Sequence, residues 1–257
     1  MILTSDYHTH TTYSHGKGTV LDNALVAKEV GLKEIAISDH GFSHPAFGLR
    51  KRKVDKLVAD CQNATLETGV KVLVGIESNL TSDKGKCDLP TNLYDKFDVY
   101  LMGMHQFVLY KPATFFKLFV PDLFCNTFNL KPAKWLVKEN TKAFINAIKN
   151  CPLDVITHLN YKCFTDVVEV AKCAADYGTY LELNSKKTHF TDEELFAFVN
   201  TGVNFIIDSD AHSPDRVGEF ELVKKQLERV NFPIDRIHNV DGKLPNFRFA
   251  KFKNGSI

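Results

Sequence analysis

Residues 33–41 read Lys-Glu-Ile-Ala-Ile-Ser-Asp-His-Gly, and residues 203–212 read Val-Asn-Phe-Ile-Ile-Asp-Ser-Asp-Ala-His. Each opens with a β-rich apolar run too short for a helix and ends in acid and imidazole side chains. The runs themselves, 33–38 and 203–208, are two of seven; the others are 2–7, 70–76, 98–104, 153–157 and 179–184. Between them lie segments with helical spacing. Val137, Thr141, Phe144, Ile145 and Ile148 form one stripe, Thr191 and Glu194 make a capping-box pattern for 191–201, and helices are expected near 19–31, 51–68 and 164–177. Ser213-Pro214 reads as an N-cap followed by proline at the first helical position, with Phe220, Val223 and Leu227 on the buried side. Strand and helix alternating along one chain without a linker predict an α/β fold in a single domain, 1–257, and a barrel of βα units above a doubly wound open sheet.

The residues just past each run share one chemistry. His8, His10 and then His15 follow the first, Asp39 and His40 the second, Glu77 the third, His105 the fourth, His158 the fifth, and Asp210 and His212 the seventh. In a parallel barrel these strand ends lie on one face, so residues far apart in sequence converge there. Imidazole and carboxylate suit Zn, Mn or Fe, and the set exceeds the four to six ligands that one ion uses, which predicts a multinuclear centre. Any one of these histidines alone would read as a structural residue.

The remaining composition narrows the classes. Across 257 residues, 32 Lys and Arg face 31 Asp and Glu, for a net charge of +1, so nothing singles out nucleic acid or an anionic membrane as a partner. No apolar run reaches the ~18 residues of a membrane helix, and Met1 is followed by neither a basic nor a long apolar stretch, so a cytoplasmic protein is expected. Cys61, Cys87, Cys125, Cys151, Cys163 and Cys173 form no C-x-x-C pair and read as reduced, mostly buried thiols. Neither phosphate-binding glycine fingerprint, G-x-x-x-x-G-K-[ST] or G-x-G-x-x-G, occurs. Residues 106–136 break the rhythm with eight aromatics; they read as helical packing on the barrel or a subunit contact, with a lid over the site as the alternative.

His8-Thr9-His10, Ser38-Asp39-His40-Gly41, Gly75-Ile76-Glu77, Gly103-Met104-His105, Thr157-His158 and Ser209-Asp210-Ala211-His212 together resemble the successive motifs of the PHP (polymerase and histidinol phosphatase) superfamily. Asn140-Thr141-Lys142-Ala143 and Arg216-Val217-Gly218 look like its small stand-alone phosphatase branch. The resemblance, over residues 6–218, implies a distorted (β/α)7 TIM-like barrel holding three divalent ions, zinc first and manganese or iron as alternatives. It would put His8, His10, Glu77 and Asp210 on one ion, let Glu77 bridge to a second with His105 and His158, and give the third to His15, His40 and His212.

Seven neutral imidazoles and two carboxylates against three divalent ions leave a formal +4, a pocket suited to a phosphate dianion. Metal-bound hydroxide would then be the nucleophile for hydrolysis of a phosphoester of a small phosphorylated metabolite. Asp39 is expected to orient a ligand imidazole or assist proton transfer, and Arg216 to clamp the phosphate, with Lys187 and Arg50 as weaker candidates. Asn184 ends the one run without a ligand and is expected to touch substrate or a ligand; His44 reads as a residue that can line the pocket, His189 and His238 as structural. Histidinol phosphate as the specific substrate, a PHP-type 3′-5′ exonuclease and a non-catalytic metal-binding regulatory module are the alternatives. The near-neutral charge argues against the exonuclease, and the histidine-rich set against a closed structural zinc site. The oligomeric state, including a homo-oligomer, stays open.

Overall fold

The computed structural model describes residues 1–256. In chain order its elements are β1 (Ser5–Thr9), α1 (Val20–Glu29), β2 (Glu34–Ile37), α2 (Val54–Thr68), β3 (Lys71–Ser82), β4 (Lys86–Cys87) and β5 (Val99–Gly103). Then follow α3 (Pro112–Thr114), a π-helical turn (Phe115–Phe119), α4 (Val120–Thr127), α5 (Lys134–Asn150), β6 (Val155–Ile156) and α6 (Val167–Tyr177). The chain finishes with β7 (Tyr180–Asn184), α7 (Asp192–Phe198), β8 (Phe205–Asp208), α8 (Glu221–Arg229) and α9 (Arg248–Lys253).

Seven strands pair in parallel in the order β1-β2-β3-β5-β6-β7-β8, and β4 forms a short antiparallel hairpin on β3. The expected runs all become strands, because a parallel strand covered by helices on one side and its own barrel on the other is buried on both faces. The barrel is nearly closed. Its β1–β8 seam has one parallel bridge, Thr9 to Ala211, and is stitched by residues 237–240. There the Asn239 amide donates to the Ser5 and Ile207 carbonyls and accepts from the Ile207 N–H, satisfying backbone that an open seam would leave orphaned.

Residues two apart on a strand share a face, and the inward-facing rows change character along the barrel axis. Apolar Ala36, Val99, Leu101, Val155, Tyr180 and Ile206 pack together with Tyr7 and Phe247. Further along the same rows come Ser38, Glu182 and Asp208, then His40, His105 and Asp210. The larger apolar cluster fills the layer between strands and helices.

One helix begins later than expected. Pro214–Arg216 is only a 3-10 turn, and α8 starts at Glu221. Gly218 intervenes at φ +76°, a conformation glycine adopts without penalty, and its N–H is tied to Asp6 Oδ2 at 2.9 Å. The 106–136 segment is helical packing on the outside of the barrel: Leu118 and Phe119 are buried, and both Asp122 carboxylate oxygens accept from the Asn140 amide.

Candidate metal centre

The nine expected ligands lie on, or in the loops after, six of the parallel strands and meet at one end of the barrel; His8 falls within β1 and Glu77 in the middle of β3 rather than just past its end. Glu77 is the hub. Its Oε1 lies 2.9 Å from His105 Nε2 and 2.6 Å from His158 Nε2, its Oε2 2.7 Å from His40 Nδ1, and His8 Nε2 is 3.4 Å from Oε1. Asp210 Oδ1 is 3.3 Å from His10 Nε2 and 3.7 Å from His8 Nε2. Ligand atoms fall within 4.8 Å of one another in four overlapping groups: His8–His10–Asp210, His8–Glu77–His158, His40–Glu77–His105 and His10–His40–His212. The His15 ring stacks on His40 with centroids 4.8 Å apart and meets His212 edge-on at 4.3 Å, although His15 joins none of the four groups.

A second layer, which the sequence reading missed, orients these rings. Glu182 on β7 is buried; its Oε1 sits 2.5 Å from His8 Nδ1, and its Oε2 accepts from the His158 N–H at 2.6 Å and from the Asn184 amide at 2.9 Å. An ionised carboxylate only accepts, so it holds the His8 proton on Nδ1 and leaves Nε2 free to ligate. Asn79 does the same for His105, its Oδ1 2.8 Å from Nδ1, while its own amide donates to Asp88 at 2.7 Å, which fixes which way the amide points. The signal for Glu182 was present as a lone acid inside the buried run Tyr-Leu-Glu-Leu-Asn.

Local backbone is shaped to the same end. His158 and Asp210 sit at φ +29° and +50°, the left-handed region that costs a non-glycine residue energy. At Gly103 a Cβ would lie 2.6 Å from Thr157 Oγ1 and 2.7 Å from His158 Cε1, so only glycine lets β5 pass this close to the ligand loop.

Burial, together with the neighbouring His40 and His212, holds His10 well below the usual histidine value; burial pushes His40 down to about 3 and His15 to about 4, and lowers His212. These four are therefore neutral at pH 7. Burial opposes charge on Glu77 and Asp210 too, yet the surrounding imidazoles, His105 and His8 on Glu77 and His8 and His10 on Asp210, hold both well below the usual carboxylate range. His8 and His158 go the other way: against the effect of burial, Glu77 and Glu182 hold both above the usual histidine value, so a divalent cation, which requires neutral imidazoles, would displace a proton from each.

The donor set fits such an ion on a second count. His8 Nε2 and both His10 nitrogens are buried without a hydrogen-bond partner, and His40 Nδ1 and Glu77 Oε2 face only each other, 2.7 Å apart. Unpaired buried polar atoms are costly, and such atoms on neighbouring ligand-type residues are what metal ligation would satisfy.

Seven of the nine, all but His8 and His10, line a cavity of about 380 Å³ whose walls include Tyr161, Asn184, Lys186, Lys187 and His189. Asn184 therefore stands where expected, its amide 3.3 Å from Asp210 Oδ2. Lys187 also lines the cavity, and so does Lys186, which the sequence reading passed over; its Nζ is 3.3 Å from Asp210 Oδ2 and 3.1 Å from His212 Nδ1. His189 corrects its structural reading, since it faces the cavity against Tyr161 and His158. Arg216 is also corrected: it pairs with Glu219 at 2.7 Å and is not among the lining residues. Arg50 caps the Pro45 carbonyl, His44 accepts from the Phe47 N–H, and His238 contacts the Tyr180 hydroxyl; none of the three lines the cavity.

Asp39 differs in detail from its expected role. Fully buried, it accepts from the Thr11 N–H and hydroxyl and from the Ser14 hydroxyl rather than from an imidazole. It thereby fixes the loop between His10 and His15 and makes no contact with a ligand ring through its carboxylate.

The 106–136 segment contributes no residue to the cavity lining. Among the described residues, no helix is long and apolar enough to cross a membrane.

Known proteins are similar to this chain over nearly its whole length. A protein of Thermoanaerobacter sp. (strain X514) named "Probable phosphatase" is 30% identical over 96% of this chain and 95% of its own length. Another of that name from Clostridium acetobutylicum is 26% identical over 94% and 97%. Among solved structures, the histidinol phosphate phosphatase of Lactococcus lactis subsp. lactis, complexed with zinc, L-histidinol and phosphate, aligns with TM-score 0.60 over 97% of this chain and 98% of its own, at 14% identity. That likeness shows a shared fold. The PHP domain family matches residues 6–230, a span that takes in every strand-end ligand described above, and the chain belongs to that family.

Proposed function

We propose that this PHP-family chain is a metal-dependent phosphoester hydrolase whose nine strand-end ligands hold three divalent ions and whose substrate is a small phosphorylated metabolite. The observation that carries the reading is the convergence of imidazole and carboxylate ligand atoms into four overlapping groups, each within 4.8 Å, beside one open cavity that seven of the nine residues line. Bound divalent ions would supply Lewis-acid polarisation of the phosphoryl group and an acidified water.

The chain's own residues do the rest. Glu182 and Asn79 keep the protons of His8 and His105 on Nδ1, away from the cavity. Asp39 and Asp6 hold the loops: Asp6 accepts from the His8, Ser209 and Gly218 N–H groups, tying β1 to the strand end that carries Asp210. Lys186, half-exposed beside Asp210 and His212, supports an anionic substrate in the place first given to Arg216, and Lys187 lies on the same wall. Tyr161 and His189 form the wall against which the leaving group would rest.

A screen of phosphorylated metabolites, histidinol phosphate among them, with protein loaded with a defined metal tests the reading. p-Nitrophenyl phosphate, bis-p-nitrophenyl phosphate and single-stranded DNA serve as class probes. Turnover of monoesters or diesters, lost in Asp210→Ala and His105→Ala together with bound metal, is the expected result. A fully loaded protein inert towards every phosphoester would refute it, and so would full turnover in either variant.

A further inference from the structure

Among the described residues, nine of the 21 exposed large apolar side chains fall between residues 107 and 135, about a ninth of the chain. They are not scattered. In the continuous helical stretch from Pro112 to Thr127, Leu118, Phe119 and Asp122 face the barrel, while Phe116, Val120 and Phe124 recur every fourth residue on the side away from it, and Phe128 continues the row. Phe116, Phe124 and Phe128 are each more than half exposed, at 70%, 55% and 60%. An amphipathic helix normally buries its apolar stripe; this one buries one stripe and presents a second.

The segment that carries the stripe is basic in sequence. Residues 106–138 contain five lysines and a single acid, Asp122, which is buried. Lys117 is neutralised by Asp83 and Glu139, but among the described residues Lys111, Lys131, Lys134 and Lys138 pair with no carboxylate. The segment therefore carries about four free positive charges on a chain whose net charge is +1.

We propose that this face docks on an anionic phospholipid surface, with the Phe116–Phe128 row entering the headgroup boundary and the four lysines facing the lipid phosphates. Charge complementarity selects this occupant. A second copy meeting the face about a two-fold axis would set the same four lysines against themselves, with no exposed acid in the segment to answer them. Single-stranded nucleic acid would supply the negative charge, but Leu109, Val120 and Leu130 gain nothing from base stacking, and residues 106–138 contain no arginine. Aliphatic and aromatic side chains flanked by lysine are the composition of an interfacial element. The segment itself leaves the barrel at His105, whose carbonyl accepts from the Tyr110 hydroxyl.

Vesicle flotation tests this, and it needs no turnover, so it fails or succeeds apart from the phosphoesterase reading. The protein is expected to float with phosphatidylcholine vesicles containing about 30% phosphatidylglycerol, but not with phosphatidylcholine alone, and to be released by about 0.5 M NaCl. Each lysine at the surface corresponds to roughly a fivefold change in partitioning. Lys131→Glu/Lys134→Glu/Lys138→Glu should accordingly weaken flotation at least tenfold, and so should Phe116→Ser/Phe124→Ser/Phe128→Ser, both with unchanged circular dichroism and melting midpoint. Failure to float with the anionic vesicles overturns the proposal, as does a serine variant that floats like the parent. A dimer in light scattering that the serine variant dissociates would assign the face to a second copy, and retention of a single-stranded oligonucleotide in place of vesicles would assign it to nucleic acid; either result also overturns it.

Discussion

Glu182→Gln is the sharpest test of how the metal centre is held. The carboxylate receives three donors, His8 Nδ1 at 2.5 Å on one oxygen and the His158 N–H at 2.6 Å and Asn184 amide at 2.9 Å on the other. Glutamine keeps the volume but offers one acceptor where two are needed. If its oxygen turns to His158, an N–H group faces His8, which must then put its proton on Nε2 and block the ligating atom. If its oxygen turns to His8, the His158 N–H meets an N–H, and the residue at φ +29° loses the bond that holds it. Either way one buried donor is orphaned, at about 1–3 kcal/mol, and one ligand is misdirected. Losing an outer partner of this kind costs about 10–100-fold in metal affinity, or ~1.4–2.7 kcal/mol. Competition of the apo protein with a chromophoric chelator for zinc measures the affinity, and long-range nitrogen–proton correlation on His8 reads the tautomer directly. A folded Gln variant that binds zinc within about threefold of the parent would refute the orienting role of Glu182.

Other substitutions separate the remaining assignments. Gly103→Ala drives a Cβ to 2.6–2.7 Å from Thr157 Oγ1 and His158 Cε1, and is expected to cost about 1–3 kcal/mol in urea unfolding and to weaken metal binding; a variant as stable as the parent would show that the strand can yield. Lys186→Met should raise KM for a phosphomonoester about fivefold with a smaller change in kcat, a modest effect because the amine is half-exposed, and an unchanged KM would remove it from the substrate wall. Arg216→Ala, which breaks only a surface pair with Glu219, should leave kcat/KM within about twofold, and a larger loss would restore the phosphate clamp. Burial pushes the Asp154 carboxyl up to about 7 from an unfolded value of 3.8, against the backbone N–H groups of Phe249 and Tyr100. The folded state thus keeps a proton that the unfolded chain releases, so this contribution to stability is full below about pH 4, falls as pH rises through 7, and spans at most ~4 kcal/mol. The unfolding free energy of the parent minus that of Asp154→Asn, followed from pH 4 to 8, should show that slope, and a flat difference would refute it.

What was legible in the sequence was the layer where chemistry and topology coincide. Each candidate ligand follows an apolar run, so the period of the runs located the strands, and the residues at or just after them are the ones the fold brings together. The layer beneath was harder to read, because Glu182 reaches His8 only across the barrel and Asp88 orients Asn79 only through the β3–β4 hairpin. Glu182 lies 174 positions from His8 in sequence, and no local spacing announces that pair. Its one trace was composition: a parallel strand buried on both faces should be almost wholly apolar, and an acid inside one must be neutralised by something across the barrel. The same reasoning applies to Asp6 on β1 and Asp208 on β8, both fully buried. Asp6 takes the Ser209 and Gly218 N–H groups, so it also decides where α8 begins, the boundary that Ser213-Pro214 misplaced. Arg216 failed for the opposite reason. It has the right charge near the right motif, but Glu219 three residues on offers a partner at once, and short-range pairing decides the fate of an exposed side chain. Buried acids in strands therefore carried more information about the site than exposed bases beside a motif, because only the fold can satisfy the former.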